Sequence, residues 1–471
     1  MVVLRNYYAL VPAAATLTIT GFGMTSTQLW RDEMATWSAA TRSPGELFDL
    51  VRNIDAVSGA YYLFMHYWIA VFGDSALALR LPSVLCMTGA AALVGMIGKR
   101  LFEAPVGLLA GLLFAIIPGI SRYGQEARSY AFATFFAVLA TYLLIRALEA
   151  PSWLRWIGYA AAVTATGLSH LIAVTVVAGH AIFALLPWRR ASWYWLASVG
   201  AAGLLLLPLA IEGSTQHSQQ LEWVATPSVG DLLTVPRLVF RSALLAGITI
   251  GLAALGWAAH ARRGAALAAC AALPVIILWS AGQATQVWVP RYLTFTLPFL
   301  CVLGGAALAT TRLRGALVVL AAFLAISGPD QRAIRESRDA RGPLDYAAAA
   351  DIVEGRQQPG DTIVYAPRGG WRFLDTGMDY HLRDGPRPRD VLLRQSRTES
   401  GSLWATDCDR PAECLAGVER VWVVALGEQK DPLRPMERHK AAALRQAYLV
   451  AQTWTVPGLT VALLTQTPPL P

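Results

Sequence analysis

The sequence predicts a polytopic α-helical membrane protein carrying a smaller α/β domain at its C-terminal end. Three observations lead there. Hydrophobic residues make up 55% of the 471 and charged ones only 15%, with a mean hydropathy of +0.44. A water-soluble globular protein does not have that balance. Apolar segments of spanning or near-spanning length recur through the first two thirds of the chain. From about Gly328 this pattern gives way to short alternating helix and strand signals. The expected division is therefore a membrane domain over 1–328 and an α/β domain outside the membrane over 329–471.

The apolar segments run approximately over 8–28, 77–98, 104–120, 129–147, 156–170, 171–187, 193–211, 236–258, 265–282, 292–309 and 315–328. They predict about eleven transmembrane helices, several below the ~20 residues that cross a bilayer upright. The first has no small-residue cleavage site after its apolar core and reads as a retained span. The net charge is +8, yet Asp330 onward contributes 19 basic and 19 acidic residues, so the whole excess lies in the membrane part. An N-terminus in the cytoplasm puts Arg5, Lys99, Arg100, Arg146, Arg155, Arg189, Arg190, Arg262, Arg263, Arg312 and Arg314 on the inner face. The stretches around Asp32, Arg122 to Arg128, His170, Glu212 to Asp231 and Arg291 then lie outside with the C-terminal domain. The positive-inside rule accounts for the excess charge without a nucleic-acid partner.

After the first span comes Trp30-Arg31-Asp32-Glu33-Met34-Ala35-Thr36-Trp37, with two adjacent carboxylates at the membrane boundary. Ionisable groups there are expensive and mark function; the plainer alternative is that Asp32 and Glu33 end the span in water between interfacial tryptophans. Ser43-Pro44-Gly45-Glu46 before an apolar LFDLV run predicts a capped, short amphipathic helix. Residues 61–73, YYLFMHYWIAVFG, are apolar but too short to span, and predict a helix lying on the membrane surface.

In the C-terminal part, Asp345 to Gly355 and residues 437–449 predict helices; Asp361 to Ala366, Val421 to Gly427, 450–456 and 459–465 predict strands. There is no glycine-rich nucleotide fingerprint, and no cofactor is assigned to this domain. Cys408 and Cys414 are close enough in sequence to form a disulfide, which a location outside the cytoplasm permits. Cys86, Cys270 and Cys301 lie in apolar segments and read as small core residues.

Four polar stretches could converge on one site: Asp32-Glu33; Arg122-Tyr123-Gly124-Gln125-Glu126-Ala127-Arg128-Ser129-Tyr130 between two spans; Ser169-His170 between two short apolar segments; and Trp288-Val289-Pro290-Arg291-Tyr292 before a later span. An arginine keeps its charge at any ordinary pH and offers a planar fork of donors suited to phosphate oxygens. Each has a plainer reading. Glu126 pairs with Arg122 or Arg128, Arg291 snorkels to headgroups, and His170 serves as a hydrogen-bonded structural residue.

WRDEMATW after the first span resembles the Asp-Glu motif of GT-C glycosyltransferases, in the group that includes protein O-mannosyltransferases and the lipid A aminoarabinose transferase. The resemblance continues through SGAYYLFMHYW, ALRLPSVL, GKRLF, RYGQEARSYA, GLSHL and WVPRYL, and so covers most of residues 1–310. It implies a GT-C fold, a polyprenyl-phosphate sugar donor and an active site at the external membrane surface. Carried over by position, Asp32 is the general base and Glu33 orients the acceptor or sustains the site's hydrogen bonds. Arg128 and Arg291, with Tyr292 and Arg122, bind the donor phosphate. Gln125, Glu126 and His170 line the sugar and acceptor pocket, with Tyr62 and His66 of the surface helix. Trp223 lies in the loop from Glu212 to Asp231, which looks like the family's acceptor-facing loop. One departure stands out: many relatives have a Pro-Pro pair where this chain has Ser58-Gly59.

The implied reaction is inverting transfer of a sugar, with mannose the leading candidate, from a polyprenyl-phosphate donor to an acceptor hydroxyl. An arabinosyltransferase for cell-wall glycans is the alternative, and a lipid or solute transporter the alternative of another class. The acceptor is left open among glycan, protein, lipid and secreted small molecule. No metal is predicted, since no Asp-x-Asp pair stands in the outer loops of the membrane part, although two adjacent carboxylates suit a hard cation. The expected setting is a plasma membrane, and the Ala-rich, Lys-poor composition resembles that of a high-GC bacterium.

Overall fold

The computed structural model describes residues 6–186, 190–336 and 344–467. Arg5 and Arg189, and the side chains of Arg190 and Arg262, which enter the charge argument above, lie outside what is described. The chain divides into two compact units. The first comprises Met1–Met24, Ile54–Phe64 and Phe72–Arg335; the second comprises Thr25–Asn53, Met65–Val71 and Glu336–Pro471.

The first unit is helical. Among the described residues six helices are long and apolar enough to cross a membrane: Ala76–Leu101, Tyr130–Glu149, Ala191–His217, Arg263–Gly282, Pro290–Ala309 and Leu313–Glu336. Two bent pairs raise the number to eight if each is one span: Ala104–Ile116 with Pro118–Gly124, bent by 66°, and Val229–Phe240 with Ala243–Ala259, bent by 101°. The count of about eleven is not reached by this measure. Tyr7–Gly21, Trp153–Ser169 and Val176–Leu185 are apolar helices of only 15, 17 and 10 residues. Both bends have local causes. Pro118 lacks the N–H that would continue the helix and pushes Ile117 into an extended conformation, and Arg241 takes a left-handed backbone with φ of 61°.

Glycine lets the helices of this unit touch backbone to backbone. A Cβ on Gly95 would lie 2.0 Å from the Tyr8 carbonyl oxygen, and one on Gly107 would lie 2.2 Å from the Gly95 carbonyl oxygen. Three helices (Tyr7–Gly21, Ala76–Leu101 and Ala104–Ile116) therefore meet where no side chain fits, a device common between apolar helices that gain little from water exclusion. Two arginines, Arg80 buried and Arg335 half-buried, fasten the chain that leaves the first helix. Arg80 donates to the Met24 carbonyl at 2.7 Å, and Arg335 Nε donates to the Phe22 carbonyl at 2.8 Å.

The second unit is built on a five-stranded sheet. Its strands are β1 (Thr362–Ala366), β2 (Arg389–Asp390), β5 (Arg420–Leu426), β6 (Tyr448–Val456) and β7 (Leu459–Gln466), with β3 (Leu393–Gln395) and β4 (Thr406–Asp407) forming a separate pair. The order is β2-β1-β5-β7-β6. β1 runs parallel to β2 and β5, while β5 with β7 and β7 with β6 are antiparallel. β1 is buried along its whole length, as a central strand covered on both faces must be. The helix Tyr346–Glu354 begins where Asp345 caps the Ala348 N–H at 3.1 Å. Helices Leu374–His381 and Pro411–Cys414 and the short strands β2 to β4 are additions to the sequence-based expectation. Cys408 and Cys414 are joined in a disulfide.

Residues 25–53, which follow the helix Tyr7–Gly21, are part of this second unit. Gln28 donates to the Leu344 carbonyl at 2.7 Å and accepts the Ala347 N–H at 3.0 Å. Trp37 of the helix Arg31–Ala40 meets Tyr380 edge to face at 5.3 Å. Asn53 Nδ2 donates to the Gly401 carbonyl at 3.1 Å.

Charged pairs stitch the sheet. Asp361, at the entrance to β1, accepts Arg420 Nε at 2.7 Å, Trp422 Nε1 at 2.8 Å and the Gln358 N–H at 3.0 Å. Burial opposes its charge, but these donors outweigh that and hold its pKa below the usual carboxylate value. The stability it contributes is fully present above the unfolded carboxyl pKa, about 3.9, and is lost as pH falls through the lower folded value. Asp361→Asn is expected to lower the unfolding midpoint at pH 7 and to flatten its acid dependence below about pH 5. Tryptophan-fluorescence melts across pH check both effects, and an unchanged acid dependence would show that Asp361 is not the titrating group.

Candidate active site

The first unit gathers most of the arginine-bearing stretches. The break at Pro118 leaves a short buried helix, Pro118–Gly124, whose last turn carries Arg122. A bend of the chain over Gln125 to Ser129 then leads into the helix Tyr130–Glu149. Arg128 and Tyr130 thus sit at the start of that span, and Arg291 and Tyr292 sit in the 3-10 turn Pro290–Thr296 that opens a later one.

Arg128 and Arg291 are only half buried, and hydroxyls hold both. Arg128 Nη1 donates to the Tyr62 hydroxyl at 3.4 Å, and Arg291 Nε donates to the Tyr130 hydroxyl at 3.0 Å. Tyr130, Tyr292 and His170 form one aromatic cluster. The His170 ring lies 4.4 Å from that of Tyr292 and 5.9 Å from that of Tyr130, with 6.1 Å between the two tyrosines. The fields of Arg128 and Arg291 meet at the His170 imidazole, whose buried Nδ1 has no hydrogen-bond partner among the described residues. Two guanidiniums of different spans therefore converge on one imidazole. A guanidinium keeps its charge and its fork of donors in such a setting, which suits it to an anionic group.

Arg122 and Glu126 form a buried ion pair one helical turn apart. Next to them Tyr123 feels the charges of Glu126, Arg122, Arg241 and Arg291 together, and its ring meets that of Tyr130 at 5.7 Å. Gln125 turns back to the first helix, donating to the Thr20 and Phe22 carbonyls at 2.8 and 2.9 Å. Trp223 is exposed, with Nε1 on the Gln220 carbonyl.

Asp32, Glu33 and His66 belong to the second unit. Asp32 is in the first turn of Arg31–Ala40, partly exposed, 3.5 Å from Arg31 Nε. Beside it Tyr346, which feels both Arg31 and Asp32, donates its hydroxyl to the Arg372 carbonyl. Glu33 is wholly buried and accepts the Trp30 N–H at 3.2 Å, closing the helix start. The two adjacent carboxylates therefore differ in kind, one partly exposed and one fixing the backbone that carries it. His66 Nδ1 lies 3.0 Å from the Ala40 carbonyl oxygen. Among the described residues no group of three or more His, Cys, Asp or Glu side chains is arranged to hold a metal ion.

Sequence reasoning passed over Tyr123, Tyr130 and Arg241. Tyr130 stood inside a quoted motif, but nothing in one sequence says that its hydroxyl reaches an arginine 161 positions away. Arg241 had a visible signal, a charged residue between two apolar runs.

A set of apolar helices with half-buried guanidiniums at the ends of two of them, followed by an α/β unit, is the architecture of a multi-pass membrane protein. Comparisons with known proteins bear this out. Residues 60–211 match a family model described as dolichyl-phosphate-mannose-protein mannosyltransferase. The fold is similar to that of ArnT from Cupriavidus metallidurans bound to undecaprenyl phosphate, with a TM-score of 0.68 at 13% identity over 97% of this chain and 98% of that one. The apo state of the same protein gives 0.66 at 14% identity over 98% of both chains. Arabinofuranosyltransferase AftD from Mycobacteria gives 0.50 at 15% identity over 98% of this chain and 41% of that one. No curated protein matches the chain by sequence. The likeness is one of fold, with the ArnT structures matched over nearly their whole length.

The buried Arg122–Glu126 pair yields a prediction. Removing one partner of a buried pair strands the other's charge, at a cost of about 3 to 5 kcal/mol. Glu126→Ala is expected to lower the thermal midpoint of the purified protein strongly, and Arg122→Met with Glu126→Leu together to restore much of it. A single variant as stable as wild type would show that Arg122 reaches water.

Proposed function

We propose that the chain is a glycosyltransferase that moves a sugar from a polyprenyl phosphate to an acceptor hydroxyl, with inversion, at the outer face of the membrane. The observation that carries this reading is the convergence of Arg128 and Arg291 on one half-buried imidazole in a protein of GT-C fold. ArnT, similar over nearly its whole length, has been seen with undecaprenyl phosphate, a lipid whose anionic head suits such a cluster. Mannose is the leading sugar, after the description of the family model matched by residues 60–211. The likeness to AftD supports arabinofuranose as the second choice.

In this mechanism Asp32 takes the proton of the acceptor hydroxyl as its oxygen attacks the anomeric carbon. The bond from that carbon to the phosphate oxygen breaks, and the electron pair leaves with the polyprenyl phosphate. Arg128 and Arg291, with Arg122 and Tyr292 nearby, stabilise the charge that grows on the departing phosphate. Glu33 holds the start of the helix that bears Asp32. Gln125, Glu126, His170, Tyr62, His66 and Trp223 are assigned to the sugar and acceptor pockets. The N-terminus is placed in the cytoplasm and the α/β domain outside it.

General-base catalysis contributes roughly 10²–10⁴-fold. Asp32→Asn is expected to cut transfer by about that factor while leaving donor binding intact; a correctly inserted variant with full activity would reject the base. Arg291→Ala is expected to raise the KM for the polyprenyl-phosphate sugar by about tenfold or more, the worth of one charged hydrogen bond, with little change in the acceptor KM. Equal or reversed effects in two-substrate kinetics would reject the phosphate role.

A further inference from the structure

A second carboxylate, outside every motif quoted above, lies in the same unit as the arginines. Asp55 is buried, at 8% exposure, and precedes the 3-10 turn Ala56–Ser58 in a left-handed conformation with φ of 61°. Few residues other than glycine accept that conformation, and aspartate is one of them. Its two oxygens are engaged separately. Oδ1 accepts the Ser58 hydroxyl at 2.9 Å, and Oδ2 accepts the Tyr62 hydroxyl. Tyr62 is fully buried, and having given its proton to Asp55 it turns an oxygen lone pair toward Arg128 Nη1, 3.4 Å away.

The turn is anchored on its other side. The Ala56 N–H donates to Gln216 Oε1 at 2.8 Å, and Gln216 Nε2 donates to Glu212 Oε1 at 3.1 Å. A Cβ on Gly213 would stand 2.7 Å from Val57 Cγ1, so the turn rests directly on this helix. A chain of contacts thus runs from the end of the helix Arg190–Leu221 through the Asp55 turn and Tyr62 to Arg128.

We propose that Asp55 is a positioning residue for the anion site: it fixes the direction of the Tyr62 hydroxyl, and that hydroxyl aims Arg128 at a lipid-linked phosphate. A tyrosine hydroxyl can donate or accept. With its proton committed to a carboxylate it can only accept from Arg128, which holds the guanidinium in one orientation. This rests on the reading that Arg128 binds the phosphate of a polyprenyl donor, and it adds a residue whose effect passes through another.

The test uses the full chain in lipid nanodiscs and two probes, undecaprenyl phosphate and undecaprenol, which differ only in the phosphate. A purely structural defect alters binding of both, whereas a misaimed Arg128 alters only the preference between them. Tyr62→Phe keeps the ring and removes the hydroxyl, and Asp55→Asn removes the acceptor charge. Each is expected to reduce the preference for the phosphate lipid by about tenfold, with undecaprenol binding unchanged. Should Asp55→Asn fail to fold, Tyr62→Phe carries the test alone. Full preference in the variants, when Arg128→Ala abolishes it, overturns the positioning role and leaves the donor-site reading standing. A wild-type protein with no preference for the phosphate overturns both.

Discussion

Keeping guanidiniums charged at the ends of apolar helices is the constraint on which the rest of this structure depends. An isolated charge in such a setting is costly, so each guanidinium is held by polar partners. Arg122 pairs with Glu126 four residues on, and Arg128 and Arg291 donate to the hydroxyls of Tyr62 and Tyr130. The aromatic cluster of Tyr130, His170 and Tyr292 then supplies a wall of polarisable rings beside them.

That arrangement explains several features of the helices. The breaks at Pro118 and Arg241 turn two potential spans before they are complete, and both leave polar side chains near the charged cluster at Tyr123. A Cβ on Gly119 would lie 2.1 Å from the Val239 carbonyl oxygen, so the two breaks are packed directly together. Backbone contacts at Gly95 and Gly107 bring the helices Tyr7–Gly21, Ala76–Leu101 and Ala104–Ile116 close together.

Much of this was legible in one sequence. The helix expected over 61–73, present as Gly59–Phe72, and the central strand TIVYA follow from local chemistry: an apolar run, and β-branched residues buried on both faces. The break at Pro118 was not expected, since residues 104–120 read as one span. The short motifs around Arg128, His170 and Arg291 also pointed to one site. What stayed hidden depends on pairs distant in sequence. Residues 25–53 follow an apolar helix, yet Gln28 and Asn53 bond to Leu344 and Gly401, over 300 positions away. The different characters of Asp32 and Glu33 were equally invisible, because the pattern Asp-Glu does not say which carboxylate will close the helix start. Asp55 was passed over because a lone acid in a loop has no signature until its backbone conformation and partners are known.

The most direct test of the account is a structure of the full chain in a lipid nanodisc with undecaprenyl phosphate added. The account predicts phosphate density within hydrogen-bonding distance of both Arg128 and Arg291, beside His170 and Tyr292. A phosphate bound elsewhere, with those two guanidiniums unmoved and facing lipid or protein, would contradict it.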